Sequence, residues 1–272
     1  MIEHSKKPEY ISVGELSVGF SEHSLAPTHE LEGSEYTFYY EEGKITRLTF
    51  IDSEQVKWVI AVGGSEQSYV SFYNAVSPRP HWYFIDFIIE GGDEAKQSVS
   101  ILLNLRSNIA LVITGILPGA AEMQIPIIQR AKEALPLSSV TCSFEHASID
   151  APFTALTPRC EETTELIGKR IEFVYSSKDV YEHIYLNEKM YTWHCINGSE
   201  KGLCDTDRCF YYKLDDEFYL FVWMEKVIPT LGIVLEDLKA MRSYGKIYGY
   251  ESHDAGTTAN FPVGSYAKEK QS

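Results

Sequence analysis

Five pairs of residues recur along this chain at one separation. Gly33 and Gly168, Phe38 and Phe173, Tyr40 and Tyr175, Trp58 and Trp193, and Gly63 and Gly198 each lie 135 residues apart. Phe87 and Trp223 follow at 136. ILLNL at Ile101–Leu105 parallels VLEDL at Val234–Leu238, and TGIL from Thr114 parallels YGYE from Tyr248. A constant offset over so long a span marks a duplicated domain of more than about a hundred residues, not a short-repeat solenoid. The 272 residues leave room for two domains of about 130 residues each.

Each copy reads as a set of strands. Glu217, Tyr219, Phe221, Trp223 and Glu225 alternate with Phe218, Leu220, Val222 and Met224, which is the period of a strand. Both faces are largely apolar, so this strand is expected to be covered on both sides. KITRLTF alternates in the same way. The 18 Tyr and 13 Phe suit a pleated surface. Turn signals such as Glu41–Gly43 and Gly63–Gly64 recur about every dozen residues, the spacing of an antiparallel meander. Each copy has enough strands to close a small barrel, and closure removes exposed edges.

The expected boundaries are 1–117 for a first barrel with a lead-in, 118–165 for a connection, and 166–272 for a second barrel. The lead-in, residues 1–32, is expected to pack across a barrel end. The connection should hold one short helix, Ile127 to Leu135, with Pro126 at its first position. The tail from Glu251 is read as loosely packed.

The net charge of −15 is uninterrupted by any basic cluster, which argues against nucleic acid and acidic membrane surfaces as partners. No apolar leader opens the chain, and its most apolar window, Ile109 to Ala121, is too short to span a bilayer. Five cysteines, an odd number, favour free thiols and a cytoplasmic setting. The chain carries no phosphate loop and no serine elbow, so nucleotide cofactors and serine hydrolysis lack support. No cofactor is expected, and self-association as a homodimer is left open.

The stretch HCINGSEKGLCDTDRCFYYKLDDEFYLFVWMEKVIPTLGIVLEDLKAMRSYGKIYGY resembles the C-terminal half of the MoaF family, and VKWVIAVGG resembles its N-terminal domain. This resemblance covers nearly the whole chain from Gly33 and implies two tandem calycin-type, lipocalin-like antiparallel barrels. A weaker resemblance, to phenolic acid decarboxylases, lies in RIEFVYSSKDVYEHIYLNEKMYTWH and YLFVWMEK. It implies a tyrosine at Tyr175, with Phe173 replacing a second tyrosine, a glutamate at Glu225, and an arginine near Arg208. Replacement of that tyrosine argues against decarboxylation of a hydroxycinnamate but leaves another reaction in the same pocket.

Glu225 is either a strand-end charge or an acid/base desolvated among Tyr219, Phe221 and Trp223. Ile89 holds the matching place in the first copy, which confines the candidate site to the second. Arg208 is either a surface ion pair or a clamp for a carboxylate or enolate oxygen. His194 is either a hydrogen-bonded structural group or a stabiliser of developing negative charge. Phe173, Tyr185, Trp193, Tyr212, Phe221, Trp223 and Tyr248 are the candidate binding residues, with His183 and Tyr211 as further polar aromatics of core or rim. His194 with Cys195, Cys204 and Cys209 invites a zinc reading, but the cysteine spacing does not match the common knuckle and no metal is expected. Asp86 interrupts an apolar strand as a buried carboxylate or one lying between the barrels.

Two functions are therefore expected to compete. One is a cofactor-independent lyase, isomerase or cyclase acting on a small hydrophobic or partly aromatic metabolite. The other is a non-catalytic protein that binds a hydrophobic or pterin-like ligand.

Overall fold

The computed structural model describes residues 9–62, 65–90 and 97–270. Gly63 and Gly64 of the repeat and turn signals lie outside the described residues.

Eight strands build the first barrel: β1 (Glu35–Tyr40), β2 (Ile45–Phe50), β3 (Gln55–Val62), β4 (Ser65–Arg79), β5 (Trp82–Ile89), β6 (Gln97–Asn104), β7 (Ile109–Ile116) and β8 (Thr141–Ile149). Each pairs antiparallel with the next, and β8 returns to β1 with Phe38 opposite Ile149, closing the sheet. Alternation sends Phe38, Phe50, Trp58 and Phe87 into one core. The Trp58 ring lies 5.6 Å from Phe38 and 5.8 Å from Phe87. Asp86 is buried, and its carboxylate accepts a hydrogen bond from the Ser100 hydroxyl at 3.0 Å.

The reading of 118–165 as a connection is corrected by β8, which completes the first barrel. TCSFEHASI carries few large apolar residues, so its periodicity is faint; closure needs its backbone more than its side chains. The short helices α2 (Ala120–Met123) and α3 (Ile127–Lys132) do fall in this segment, with Pro126 as the N-cap of α3, one place earlier than expected.

The second barrel repeats the plan with β10 (Arg170–Val174), β11 (Val180–Asn187), β12 (Met190–Asn197), β13 (Cys204–Asp215), β14 (Phe218–Glu225), β15 (Thr230–Asp237), β16 (Arg242–Tyr250) and β17 (Thr258–Glu269). β17 lies between β16 and β10, and β12 pairs β13, so this sheet also closes; a two-residue strand, β9 (Glu161–Glu162), adds to β13. Gly33 and Gly168 each precede the first strand of their barrel, with left-handed φ of 72° and 86°. Trp58 and Trp193 each sit buried on the third strand, as a duplication requires.

Three boundary expectations change. The tail is no loose extension: residues 258–269 are β17, paired along both edges and burying Val263 and Ser265. The strict strand begins at Phe218, because Glu217 turns the chain with a left-handed φ of 48°. Of the lead-in, only Leu25 onward belongs to the first barrel; its described part as far as Ser24 belongs to the second. There α1 (Val13–Phe20) starts at a capping box between Ser12 and Glu15. It buries Val13 against Gly249, breaks at Gly19 with φ 112°, and stacks Phe20 on Tyr175 at 4.3 Å. Leu25–Leu117 and Thr141–Cys160 thus form one compact unit; the described residues up to Ser24, Pro118–Val140 and those from Glu161 onward form the other. Among the described residues no helix is long and apolar enough to cross a membrane.

Gly232 of β15 faces Trp223 of β14 across the ladder, and a Cβ there would lie 2.1 Å from the indole. Gly232→Ala is therefore expected to destabilise the protein by about 3 kcal/mol, an overpacking cost. Urea unfolding checks it; a loss under about 0.5 kcal/mol would mean that the indole has another place to go.

Candidate functional site

Alternation along four strands points one set of side chains into the second barrel. β10 and the residue after it supply Phe173 and Tyr175; β11 supplies Tyr181, His183 and Tyr185; β12 supplies Tyr191 and Trp193; β14 supplies Phe221 and Trp223. The rings pack edge to face and stacked, with Phe221 and Trp223 centred 5.3 Å apart and Tyr191 and Phe221 4.8 Å apart. Between them remains a cavity of about 30 Å³, roughly the room of one water. Leu16 and Phe20 of α1 form part of its wall, and Glu200, Glu225, His183 and Tyr175 are among its polar members.

Glu225 closes β14 beside this cavity. Its carboxylate accepts from the Trp223 indole N–H at 3.0 Å, and its backbone carbonyl accepts from the Ser138 hydroxyl at 2.9 Å. Burial, and after it the nearby Asp207 carboxylate, hold its pKa well above the ordinary carboxylate value. Tyr175 is fully buried, and burial, then Glu236 and Glu225, push its pKa up. Asp207 accepts from the Trp193 indole at 3.1 Å and from the Lys226 ammonium at 3.2 Å. Glu200, raised by burial, accepts from the Tyr181 hydroxyl at 2.9 Å and from the Ile11 N–H at 3.2 Å.

Two interior groups were not singled out as catalytic candidates from the sequence. His183 is buried between Phe173, 4.7 Å away, and Tyr191, 5.3 Å away, and its Nδ1 has no hydrogen-bond partner. Burial alone lowers its pKa to about 3, so it is neutral at ordinary pH. Glu236 on β15 accepts from the Tyr185 hydroxyl, while its other oxygen is unpartnered. Burial raises its pKa to about 8. His183 shares the inward parity of Tyr181 and Tyr185, a signal legible in VYEHIYLN; Glu236 shares the inward parity of Val234 in the same way.

Other expected site residues lie elsewhere. Arg208 is exposed: its neighbours Asp207 and Cys209 are buried, so it points outward, with its guanidinium 5.4 Å from the Phe210 ring. His194 likewise faces out between buried Trp193 and Cys195, 3.8 Å from Glu182. Neither can clamp a ligand held inside. Tyr212 pairs beside β9 on the outer wall, and Tyr248 turns away from the interior where Ile247 points in. Cys195 and Cys209 are buried and Cys204 is exposed; none of the five cysteines is joined in a disulfide.

The first barrel is apolar where the second is polar. Ile171 faces His183 across the first hairpin as Tyr36 faces Leu48. Tyr219 faces Glu236 as Tyr83 faces Leu103. Ile89 stands two residues past Phe87 as Glu225 stands two past Trp223. Leu48, Leu103 and Ile89 are all core residues, and Tyr40, in the place of Tyr175, is hydrogen-bonded to Thr46 at 3.2 Å.

The buried acid sets a pH dependence. Folded Glu236 keeps a proton up to about pH 8 that the unfolded chain releases near 4.5, so stability falls as pH rises through that interval. His183 acts with the opposite sign, adding stability between about pH 3 and 6.5. Glu236→Gln is expected to flatten the alkaline fall by an amount on the order of a few kcal/mol while changing little at about pH 5. Thermal unfolding across this range checks it; equal alkaline slopes in both forms would contradict the assignment.

The MoaF N-terminal domain description matches residues 8–119, and the MoaF C-terminal domain description matches residues 160–272. Protein MoaF of Klebsiella aerogenes is 39% identical over 261 residues, which cover 95% of this chain and 94% of that protein. A solved structure described as a beta-lactamase candidate from Burkholderia vietnamiensis matches 39% of this chain and 95% of its own at 12% identity, with a TM-score of 0.33.

Proposed function

This chain belongs to the MoaF family, and from that premise we propose that its second barrel is a proton-transfer enzyme, a lyase, isomerase or cyclase, for a small and partly aromatic metabolite. One observation carries the reading: polar groups with displaced pKa values converge on the interior of one barrel, where the duplicated barrel has Leu48, Leu103 and Ile89. Burial, and after it Asp207, raise the pKa of Glu225 well above the ordinary carboxylate value, which suits this carboxyl group beside the cavity to donate a proton and take it back. The Tyr175 hydroxyl, on a side chain that lines this cavity, orients a substrate oxygen. His183 offers a neutral ring nitrogen to the same space. The aromatic walls exclude water, which strengthens each of these interactions.

A second reading, a carrier that encloses its ligand, draws on the cover formed by Leu16 and Phe20 over a cavity of about 30 Å³. The two readings part on turnover. The test is to identify by mass spectrometry the small molecule retained by the purified protein, then return it to fresh protein in deuterated water. Chemical conversion, or deuterium appearing at carbon, is the expected result. Recovery of the molecule unchanged and unlabelled would leave carriage as the function.

A further inference from the structure

The charged and polar groups around this cavity are of one kind. Its carboxyl groups are Glu200 and Glu225, its remaining polar side chains are tyrosines, tryptophans and His183, and no Lys or Arg is among its described lining residues. Lys226 lies outside the lining, its ammonium held by Asp205, Asp207 and the Thr206 carbonyl. An anionic ligand would meet acceptors and the negative faces of rings, with no cation to offset its charge. A cation would meet carboxylates that can ionise in response to it and ring faces that attract it.

We propose that the second-barrel cavity takes an organic cation, the protonated amino group of a small amine with a flat apolar body. This deepens the function proposed above and rests on it. The ammonium head occupies the space beside Glu225, with Glu200 as a second carboxylate of the lining and the rings of Trp193, Trp223 and Tyr191 among its other lining groups. The cavity is about the size of one water, which matches such a head group. His183 supplies an independent observation: a side chain that is 4% exposed, lines this cavity and has an unpartnered Nδ1, a ring nitrogen that can accept an ammonium N–H. The apolar body of the ligand takes the place of Phe20, whose ring covers Tyr175 at 4.3 Å.

Ion pairing also couples binding to protons. Glu225 is surrounded by Asp207 and Asp205 from β13, Glu200 from the turn before it, Tyr175, Tyr191 and His183 from β10 to β12, and the bound Lys226. Burial first, and the acidic neighbours after it, favour the protonated form of Glu225, so an ammonium that favours its ionised form draws a proton off it on binding. Affinity for an amine accordingly rises with pH.

Benzylamine, benzyl alcohol and benzoate share a ring and differ in charge, which makes them the probes. Calorimetric titration of each into the wild-type protein and into Phe20→Ala, which opens room for the ring, is the experiment. Benzylamine is expected to bind at least about tenfold more tightly than benzyl alcohol, with release of a proton and affinity rising from about pH 5 to about pH 8, and benzoate is expected not to bind. Glu225→Gln should bring amine and alcohol to within about threefold of each other. Equal binding of amine and alcohol, or preferred binding of benzoate, would overturn the cationic class while leaving the cavity as a ligand site. Binding of none of the three by the opened Phe20→Ala form, with no retained molecule in the wild type, would overturn the site itself.

Discussion

Ending the chain after Tyr250 is expected to leave no folded second barrel. The lost segment contains β17, which pairs with β16 from Tyr250 opposite Thr258 to Arg242 opposite Tyr266, and with β10 from Val174 opposite Tyr266 to Ile171 opposite Glu269. Without it two sheet edges open, Val263 leaves the core, and the buried hydroxyl pair of Ser243 and Ser265 at 2.6 Å is broken. These losses together exceed the ~5–15 kcal/mol that stabilises an ordinary domain. The expected result is insoluble protein, or soluble protein without the near-ultraviolet dichroism of Trp193 and Trp223. A soluble product with cooperative unfolding and an intact aromatic signal would show that the barrel closes without β17. A shorter cut, removing Lys268 to Ser272, takes away the pairing of Lys268 and Glu269 with β10 and the Lys270–Glu172 ion pair at 2.5 Å. It should cost about 1–2 kcal/mol, more than the trimming of a loose tail would.

Glu225→Gln carries the second large effect. The substitution keeps shape and the oxygen that meets the Trp223 indole at 3.0 Å, and removes the titrating proton. Turnover of the retained molecule is expected to fall by about a hundredfold or more, with KM changed far less, because the proton moves only in the transition state. The pH profile has a definite sign. Glu225 is raised by burial and by Asp207, so a step in which it donates a proton is fast below its displaced pKa and slows as pH rises through it. The glutamine form should lack that limb. Steady-state rates of both forms between about pH 5 and about pH 9 decide the matter; unchanged product formation by the glutamine form would remove Glu225 from the chemistry.

Local chemistry determined much of this protein. Strand alternation is a property of the backbone, so Tyr219, Phe221, Trp223 and Glu225 had to share a face wherever the strand lay, and they do line one interior. Repetition of Gly33, Phe38, Tyr40 and Trp58 at 168, 173, 175 and 193 required two like barrels. Absence of an acid at Ile89 already pointed the candidate site to the second. The same parity also fixes the two histidines: Trp193 inward places His194 outward, and Tyr181 and Tyr185 inward bring His183 inside.

Only the tertiary structure decided what closes the barrels and what covers the site. TCSFEHASI and TANFPVGSYAKE carry weak periodicity because a closing strand is held by hydrogen bonds to two neighbours already in place, and small inward residues such as Ala259, Ser265 and Ala267 fit there. The partner of α1 was equally nonlocal, since an amphipathic segment at one end of the chain can cover either barrel. Displaced pKa values had the same origin: a glutamate at 225 or 236 is an ordinary acid in sequence and becomes a proton-holding one only when β14 and β15 bury it among rings from β10, β11 and β12.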